Sequence, residues 1–252
     1  MSSNLLQAIL GETKEEVFFQ SIYENYYYKN INSTLFRQID QDEIWKLTQN
    51  KQYRVNKMRV IDSDHQRIKK YIKFTNKTVR KQKYCESVVL DAIHMHLDSI
   101  KEITHDLGSV LGVHCQVNSY YTPKSRQTFK LHHDSHDVFI IQLSGKKTWK
   151  IQSDEAPLVT KKCPQVQYER DADSMVTTSL VPGQTLYIPR GQRHKAWTEE
   201  SDSLHLTIGL YPYELSEGQN YWDRPDVIGD AGNDGLDGRS RFGKSLALNY
   251  KG

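Results

Sequence analysis

Leu131-His132-His133-Asp134-Ser135-His136-Asp137 runs straight into Val138-Phe139-Ile140-Ile141-Gln142-Leu143. The first half is dense in metal-ligand types and the second half reads as a buried strand. His132 and Asp134 form a His-x-Asp pair. In extended chain, residues two apart point to the same side, so both side chains can reach one ion. The pair alone is weak evidence, because ten His and 31 acidic residues in 252 positions give roughly one such pairing by chance. His96-Leu97-Asp98 is a rival pair. The spacing places it inside a helix, where positions two apart diverge by about 200° and cannot chelate together.

Working outward, the apolar period is two from Val113 to Thr122, Asp137 to Leu143, Thr148 to Gln152, Gln184 to Ile188 and Ser203 to Leu210, which predicts strands. Ser144-Gly145-Lys146 reads as a hairpin turn between two of them. In the last strand Leu204, Leu206, Ile208 and Leu210 share one face, and Ser203, His205 and Thr207 the other. Before Gly112 the pattern is helical. Leu90, Ile93, Leu97, Ile100, Thr104 and Leu107 predict a helix with Gly108 as its stop. Thr13-Lys14-Glu15-Glu16 has the form of a capping box ahead of Phe18, Ile22 and Tyr26, and Asp40-Gln41-Asp42-Glu43 repeats the signature ahead of Ile44 and Leu47. Helices first and strands later predict an α+β chain whose β part is a sandwich or barrel.

A third ligand is needed. His194 follows Tyr187-Ile188-Pro189-Arg190-Gly191-Gln192-Arg193, where a strand and a turn precede the start of another strand. Two His and one carboxylate occupy one face of an octahedral ion and leave three positions open, which suits Fe(II) and oxygen chemistry. A structural zinc favours a closed four-ligand shell, usually with Cys. None of the three Cys (Cys85, Cys115, Cys163) falls in these segments. Their odd number and unpaired spacing argue against a disulfide scaffold and fit a reducing, cytoplasmic setting. No apolar run approaches the roughly 18 residues of a membrane span, and Met1 to Glu16 lacks a secretory signal pattern. The net charge of +3 names no partner. From Lys46 to Lys83, however, thirteen basic residues face only Asp62 and Asp64, a local excess of +11. This stretch reads as a solvated face or as a docking surface for an acidic peptide or RNA.

With these residues in view, the sequence resembles the JmjC-type 2-oxoglutarate oxygenases, and more narrowly the cupin-like branch that includes the ribosomal oxygenases. The resemblance is carried by Gln116-Val117-Asn118-Ser119-Tyr120-Tyr121-Thr122-Pro123, by His132 through Trp149, and by Leu186-Tyr187-Ile188-Pro189-Arg190-Gly191 with His194. It implies a double-stranded β-helix, a jelly-roll or cupin-like barrel, with N-terminal helices. It implies Fe(II) held by His132, Asp134 and His194, which are then both metal-binding and catalytic. It also implies 2-oxoglutarate as cosubstrate, with its distal carboxylate on Lys147 and with Asn118 and Tyr120 beside it. His205 and Thr207 face the same pocket and count as cofactor-binding candidates. His133 and His136 are read as neighbours of the ligands or as surface groups.

The activity so implied is that of a 2-oxoglutarate-dependent dioxygenase. It hydroxylates a side chain in a peptide or protein with O2 and decarboxylates 2-oxoglutarate to succinate and CO2. A free amino acid or small metabolite as substrate, a lysine demethylase, and a non-catalytic metal-binding cupin are the alternatives. The implied organisation is an N-terminal helical and basic region over 1–111, a barrel core over 112–212, and a Gly- and Asp-rich tail over 213–252. About 40 residues follow Leu210, so the resemblance is to a short form without the winged helix of the larger ribosomal oxygenases. The expected partner is a peptide or protein, with a small molecule possible and no membrane; the stretch 46–83 leaves RNA open.

Overall fold

Val138-Phe139-Ile140-Ile141 is apolar at every position because strand β6 (Asp137–Gly145) is covered on both faces. Phe139, Ile141 and Leu143 join the larger core. Val138 and Ile140 point the other way, into a smaller core with Trp149, Ile151, Leu180, Leu186 and Ile188. The structure is a computed structural model that describes residues 5–65, 67–68, 86–156 and 167–212.

The strands in chain order are β1 (Tyr28–Asn30), β2 (Met58–Ile61), β3 (Arg67–Ile68), β4 (Ser87–Leu90), β5 (Val113–Thr122), β6, β7 (Lys147–Gln152), β8 (Met175–Leu180), β9 (Thr185–Ile188), β10 (His194–Trp197) and β11 (Ser203–Pro212). Eight form one antiparallel sheet in the order β1-β9-β6-β11-β5-β4-β2-β3, and β10-β7-β8 form the second. This is the double-stranded β-helix expected from the sequence. The outer face of the large sheet carries the N-terminal helices α1 (Leu5–Leu10) and α3 (Gln41–Leu47), and α4 (Asp98–Leu111) packs against β5. Leu204, Leu206, Ile208 and Leu210 of β11 are buried in that outer core. The opposite face of β11 looks between the sheets, and the alternation there is as the sequence predicts.

Four local readings are corrected. Thr13 does not cap a helix, because its hydroxyl bonds the Tyr28 hydroxyl at 2.6 Å. The next helix, α2 (Glu15–Val17), begins after Lys14 without a side-chain cap, and a π-helical turn over Phe18–Ile22 follows. Asp40, by contrast, caps α3 by accepting from the Asp42 amide. Leu90 belongs to a strand, and the helix starts only at Asp98. His96-Leu97-Asp98 therefore straddles the start of that helix rather than lying inside it. Gly108 is not its stop: a Cβ there would stand 2.7 Å from the Val113 carbonyl oxygen, so glycine lets the helix lie close on β5. The stop is Gly112, which has left-handed φ of 64°. Finally, Ser144-Gly145-Lys146 is a turn, but β6 and β7 do not pair. They lie in different sheets, and the turn carries the chain across the sandwich. At Gly145 φ is 66° and an added Cβ would collide with the Asp202 carbonyl, so only glycine fits.

Candidate active site

His132 and His194 face each other across a two-residue antiparallel bridge. The His132 amide donates to the His194 carbonyl at 3.0 Å, and the His194 amide returns a bond at 2.7 Å. Each ring is then oriented by its own neighbour. His132 Nδ1 lies 2.7 Å from the Lys130 carbonyl and His194 Nδ1 2.9 Å from that of Gln192. A carbonyl only accepts, so both Nδ1 atoms carry the proton and both Nε2 atoms present a lone pair. Those lone pairs flank Asp134, with Nε2 to carboxylate distances of 3.9 Å and 3.6 Å. One ligand atom from each of the three lies within 4.8 Å of the others. An ion with bonds of about 2.1 Å at right angles spaces its donors by roughly 3 Å, so small side-chain rotations close the set. Gly191 donates to the Asp134 carbonyl at 2.9 Å and fixes the carboxylate's loop to the turn before His194.

Protonation states fit a divalent cation. Burial pushes the His194 imidazole down to about 4, and the nearby His132 adds to the effect. Burial alone would raise Asp134, but the surrounding imidazoles of His132, His136, His194 and His133 outweigh it and hold the carboxyl below its ordinary value. A neutral imidazole and an ionised carboxylate are the forms that ligate a metal.

The cluster sits at one side of a cavity of about 230 Å³ between the sheets. Farther in, Lys147 is only 2 % exposed. Its ammonium donates to the Thr122 hydroxyl, and burial lowers it to about 7. His205 stacks on Tyr120 with centroids 5.1 Å apart and planes 7° from parallel. Among the described residues, His205 Nδ1 and Trp149 Nε1 are buried without hydrogen-bond partners, and both residues line the cavity. A buried cation with unpartnered polar nitrogens nearby is a site that fits an anion.

All the sequence-predicted cofactor residues, Asn118, Tyr120, Lys147, His205 and Thr207, line this one cavity with the His-Asp-His cluster. Lys146, by contrast, is exposed. Asn118 is held by the Ala92 amide, which donates to its Oδ1 at 2.8 Å. His136 is not a surface group: it stacks on Tyr211 at 4.2 Å and lines the cavity. His133 is buried and shares a 2.7 Å hydrogen bond with the Tyr168 hydroxyl. Sequence reasoning missed Arg59, Gln116, Phe129, Trp149 and Tyr211, which also line the cavity. Trp149 was readable, two residues after Lys147 on a strand. Arg59 was hidden inside the basic run and reaches the cavity only through the pairing of β2, β4 and β5. In that run Arg54 bonds the carbonyls of Thr48 and Gln49. Residues 66 and 69–85, like the tail 213–252, lie outside the described residues, so the docking reading of those segments is untouched.

A buried charge network underlies the site. Arg190 donates to Glu24 at 2.6 Å. The Arg190 amide and the Tyr187 hydroxyl both donate to Asp137, at 3.1 Å and 3.0 Å. The network holds the Pro189-Arg190-Gly191 turn, and with it the Gly191 bond to Asp134.

A double-stranded β-helix with His-x-Asp and a distant His converging at its mouth defines the class of cupin-fold metal proteins. Within that class, the chain belongs to the JmjC domain family, whose model matches residues 89–217. Similar curated proteins include a bifunctional lysine-specific demethylase and histidyl-hydroxylase NO66 of Drosophila pseudoobscura pseudoobscura, 38 % identical over 101 residues, which are 39 % of this chain and 11 % of the relative. Human ribosomal oxygenase 1 is 35 % identical over 98 residues, covering 37 % of this chain and 15 % of the relative. Rat ribosomal oxygenase 2 is 34 % identical over 121 residues, covering 45 % and 25 %. The chain thus spans a quarter or less of each of these relatives. Among solved structures, Escherichia coli ribosomal oxygenase YcfD aligns with a TM-score of 0.60 at 16 % identity, over 94 % of this chain and 66 % of that one. The same protein in complex with cobalt and 2-oxoglutarate gives 0.59 at 15 % identity, over 95 % and 67 %.

Proposed function

We propose that this protein is an Fe(II)- and 2-oxoglutarate-dependent hydroxylase acting on a side chain in a peptide or protein. The observation that carries the reading is a single cavity with an open-sided His132-Asp134-His194 cluster and a buried cation, Lys147, that among the described residues has only a hydroxyl for partner. The family membership and the names of the relatives support it, as does the binding of cobalt and 2-oxoglutarate by the YcfD neighbour.

In this reading His132, Asp134 and His194 hold the metal by Nε2, carboxylate and Nε2. Bound Fe(II) would let O2 act as the oxidant, one oxygen atom ending in succinate as 2-oxoglutarate loses CO2 and the other in the hydroxylated C–H bond. The chain's own residues bind, orient and dry the site. Lys147 takes the distal carboxylate, its position set by Thr122. His205 and Trp149 offer their unpartnered nitrogens, and Tyr120 stacks on His205 to hold that ring. Val138, Ile140 and Phe129 keep water from the reacting end. Asn118 and Thr207 lie between the two ends on paired strands. No side chain is required as acid or base.

The division into a supporting region over 1–111, a barrel over 112–212 and a tail over 213–252 belongs to the same proposal. A non-catalytic cupin is disfavoured because a fully buried lysine is costly to keep without an anion to meet it. Among the described residues no helix is long and apolar enough to cross a membrane. The test is succinate formation from 2-oxoglutarate by the full chain with Fe(II) and O2. Activity lost in His132→Ala and in Lys147→Ala supports the reading, and no turnover by the parent protein defeats it.

A further inference from the structure

Thr48, Thr104 and Thr185 are buried, and each gives its hydroxyl proton to a backbone carbonyl, of Trp45, Lys101 and Ile9, at 2.7, 2.8 and 3.0 Å. Thr122 and Thr128 are buried as deeply but bond side chain to side chain. Their hydroxyl oxygens lie 2.9 Å apart, and Thr128 donates to Ser87 Oγ at 2.9 Å. The row begins at the Lys147 ammonium, which donates to Thr122, and all four side chains are buried. It joins three strands. Lys147 opens β7, Thr122 closes β5, and Ser87 opens β4 one residue before Val88, the register partner of Tyr121. Thr128 lies on the segment between β5 and His132, and its carbonyl is 3.3 Å from His65 Nδ1. Chemistry fixes the direction of every bond. An ammonium has no lone pair, so Thr122 accepts from it. Thr128 gives its one proton to Ser87, so it can only accept from Thr122. Each hydroxyl therefore donates away from Lys147 and turns a lone pair toward it, an alignment in which neighbouring bonds strengthen one another. The ammonium has three N–H groups, and two remain for a ligand in the cavity.

Resting on the hydroxylase reading, we propose that Thr128 is a positioning residue for the cosubstrate: acting through Thr122, it holds a lone pair on Lys147 and so directs the two remaining N–H groups to the distal carboxylate of 2-oxoglutarate. Ser87 completes the row as its last acceptor. Without the Thr128 hydroxyl, the Thr122 proton loses its acceptor and is free to swing toward Lys147, where donor would face donor. The loss falls on the anchor for the anion and not on the metal ligands, which the row does not touch.

The experiment compares the full chain with Thr128→Val, Thr128→Ser and Ser87→Ala, each checked by thermal melting. Cobalt binding is measured first, and 2-oxoglutarate is then titrated into the cobalt-loaded proteins while the visible spectrum is followed. Thr128→Val should weaken 2-oxoglutarate binding by about three- to tenfold, the worth of one hydrogen bond, with cobalt affinity unchanged. Thr128→Ser keeps the hydroxyl and should bind 2-oxoglutarate as the parent does. That rescue separates a hydrogen-bonding role from simple packing. Thr128→Val binding as tightly as the parent overturns the proposal. So does equal weakening in the Val and Ser variants, or a loss of cobalt affinity that matches the loss for 2-oxoglutarate. If Thr128→Val does not fold, Ser87→Ala decides: weaker 2-oxoglutarate binding at unchanged cobalt affinity supports the proposal, and parent-like binding overturns it. A parent protein that binds cobalt but no 2-oxoglutarate would defeat the hydroxylase reading itself.

Discussion

Replacing Lys147 by Met should make the metal-free protein more stable while removing its hold on 2-oxoglutarate. Burial lowers the Lys147 ammonium from 10.5 to about 7, and each unit is worth about 1.36 kcal/mol. The buried charge therefore costs up to about 5 kcal/mol. The cost is fully present below pH 7, where the lysine is charged in both folded and unfolded chains. It shrinks as pH rises, because the unfolded chain keeps the proton that the folded protein has shed, and it disappears above 10.5. Met is close to Lys in length and unbranched, so it fits the same channel. Thr122 keeps a partner after the substitution, since its hydroxyl also bonds Thr128 at 2.9 Å. Allowing for imperfect packing, we expect a gain of roughly 2–4 kcal/mol at pH 6.5, or about 5–12 °C in Tm. At pH 8.5 the gain should be smaller by about 2 kcal/mol. Thermal melts followed by circular dichroism in EDTA at both pH values measure this. A Lys147→Met protein that is less stable at pH 6.5, or a gap that does not narrow with pH, would refute the picture of an unpaired, desolvated cation awaiting a carboxylate.

Glu24→Gln removes the carboxylate that the buried Arg190 guanidinium donates to, leaving Asp137 as its charged neighbour, and should cost about 3 kcal/mol in denaturant melts. Because the same network holds the turn that bonds Asp134, cobalt titration of the folded variant should show weaker binding by about tenfold or more. Gly145→Ala meets the Asp202 carbonyl at a left-handed position and should destabilise by more than about 1 kcal/mol, with cold-purified yield and Tm both reduced. Phe139→Ala opens the core between the N-terminal helices and β6 and should cost about 3–5 kcal/mol in urea melts while the cobalt spectrum of surviving protein is unchanged.

The barrel was legible because most of its strands carry a strong period. The alternation of β5 and β11, and the doubly buried run of β6, need no tertiary knowledge to be read. β8 was missed because Met175–Leu180 is half-exposed and its three polar residues, Thr177, Thr178 and Ser179, run together without alternation, so neither face stands out. The N-terminal turn was misread because tertiary contact overrode a local signal: Thr13 prefers Tyr28 to its own helix. Gly108 and Gly112 look alike in sequence, and only the approach of Val113 tells a packing glycine from a helix stop. The His132-Asp134-His194 cluster and the buried Lys147 that lines the same cavity were legible through local spacing joined to a family pattern. Arg59 and Tyr211 were not, because their place at the cavity depends on which strands pair, a property that no single stretch of sequence contains.

The central claim is that His132, Asp134 and His194 gather one ferrous ion beside a site for 2-oxoglutarate. It is tested most directly by titrating the protein with Fe(II) and 2-oxoglutarate under anaerobic conditions and recording the visible spectrum. A weak charge-transfer band should appear only when both are present, and His132→Ala should remove it. No band, together with tight zinc binding that is indifferent to 2-oxoglutarate, would contradict the claim.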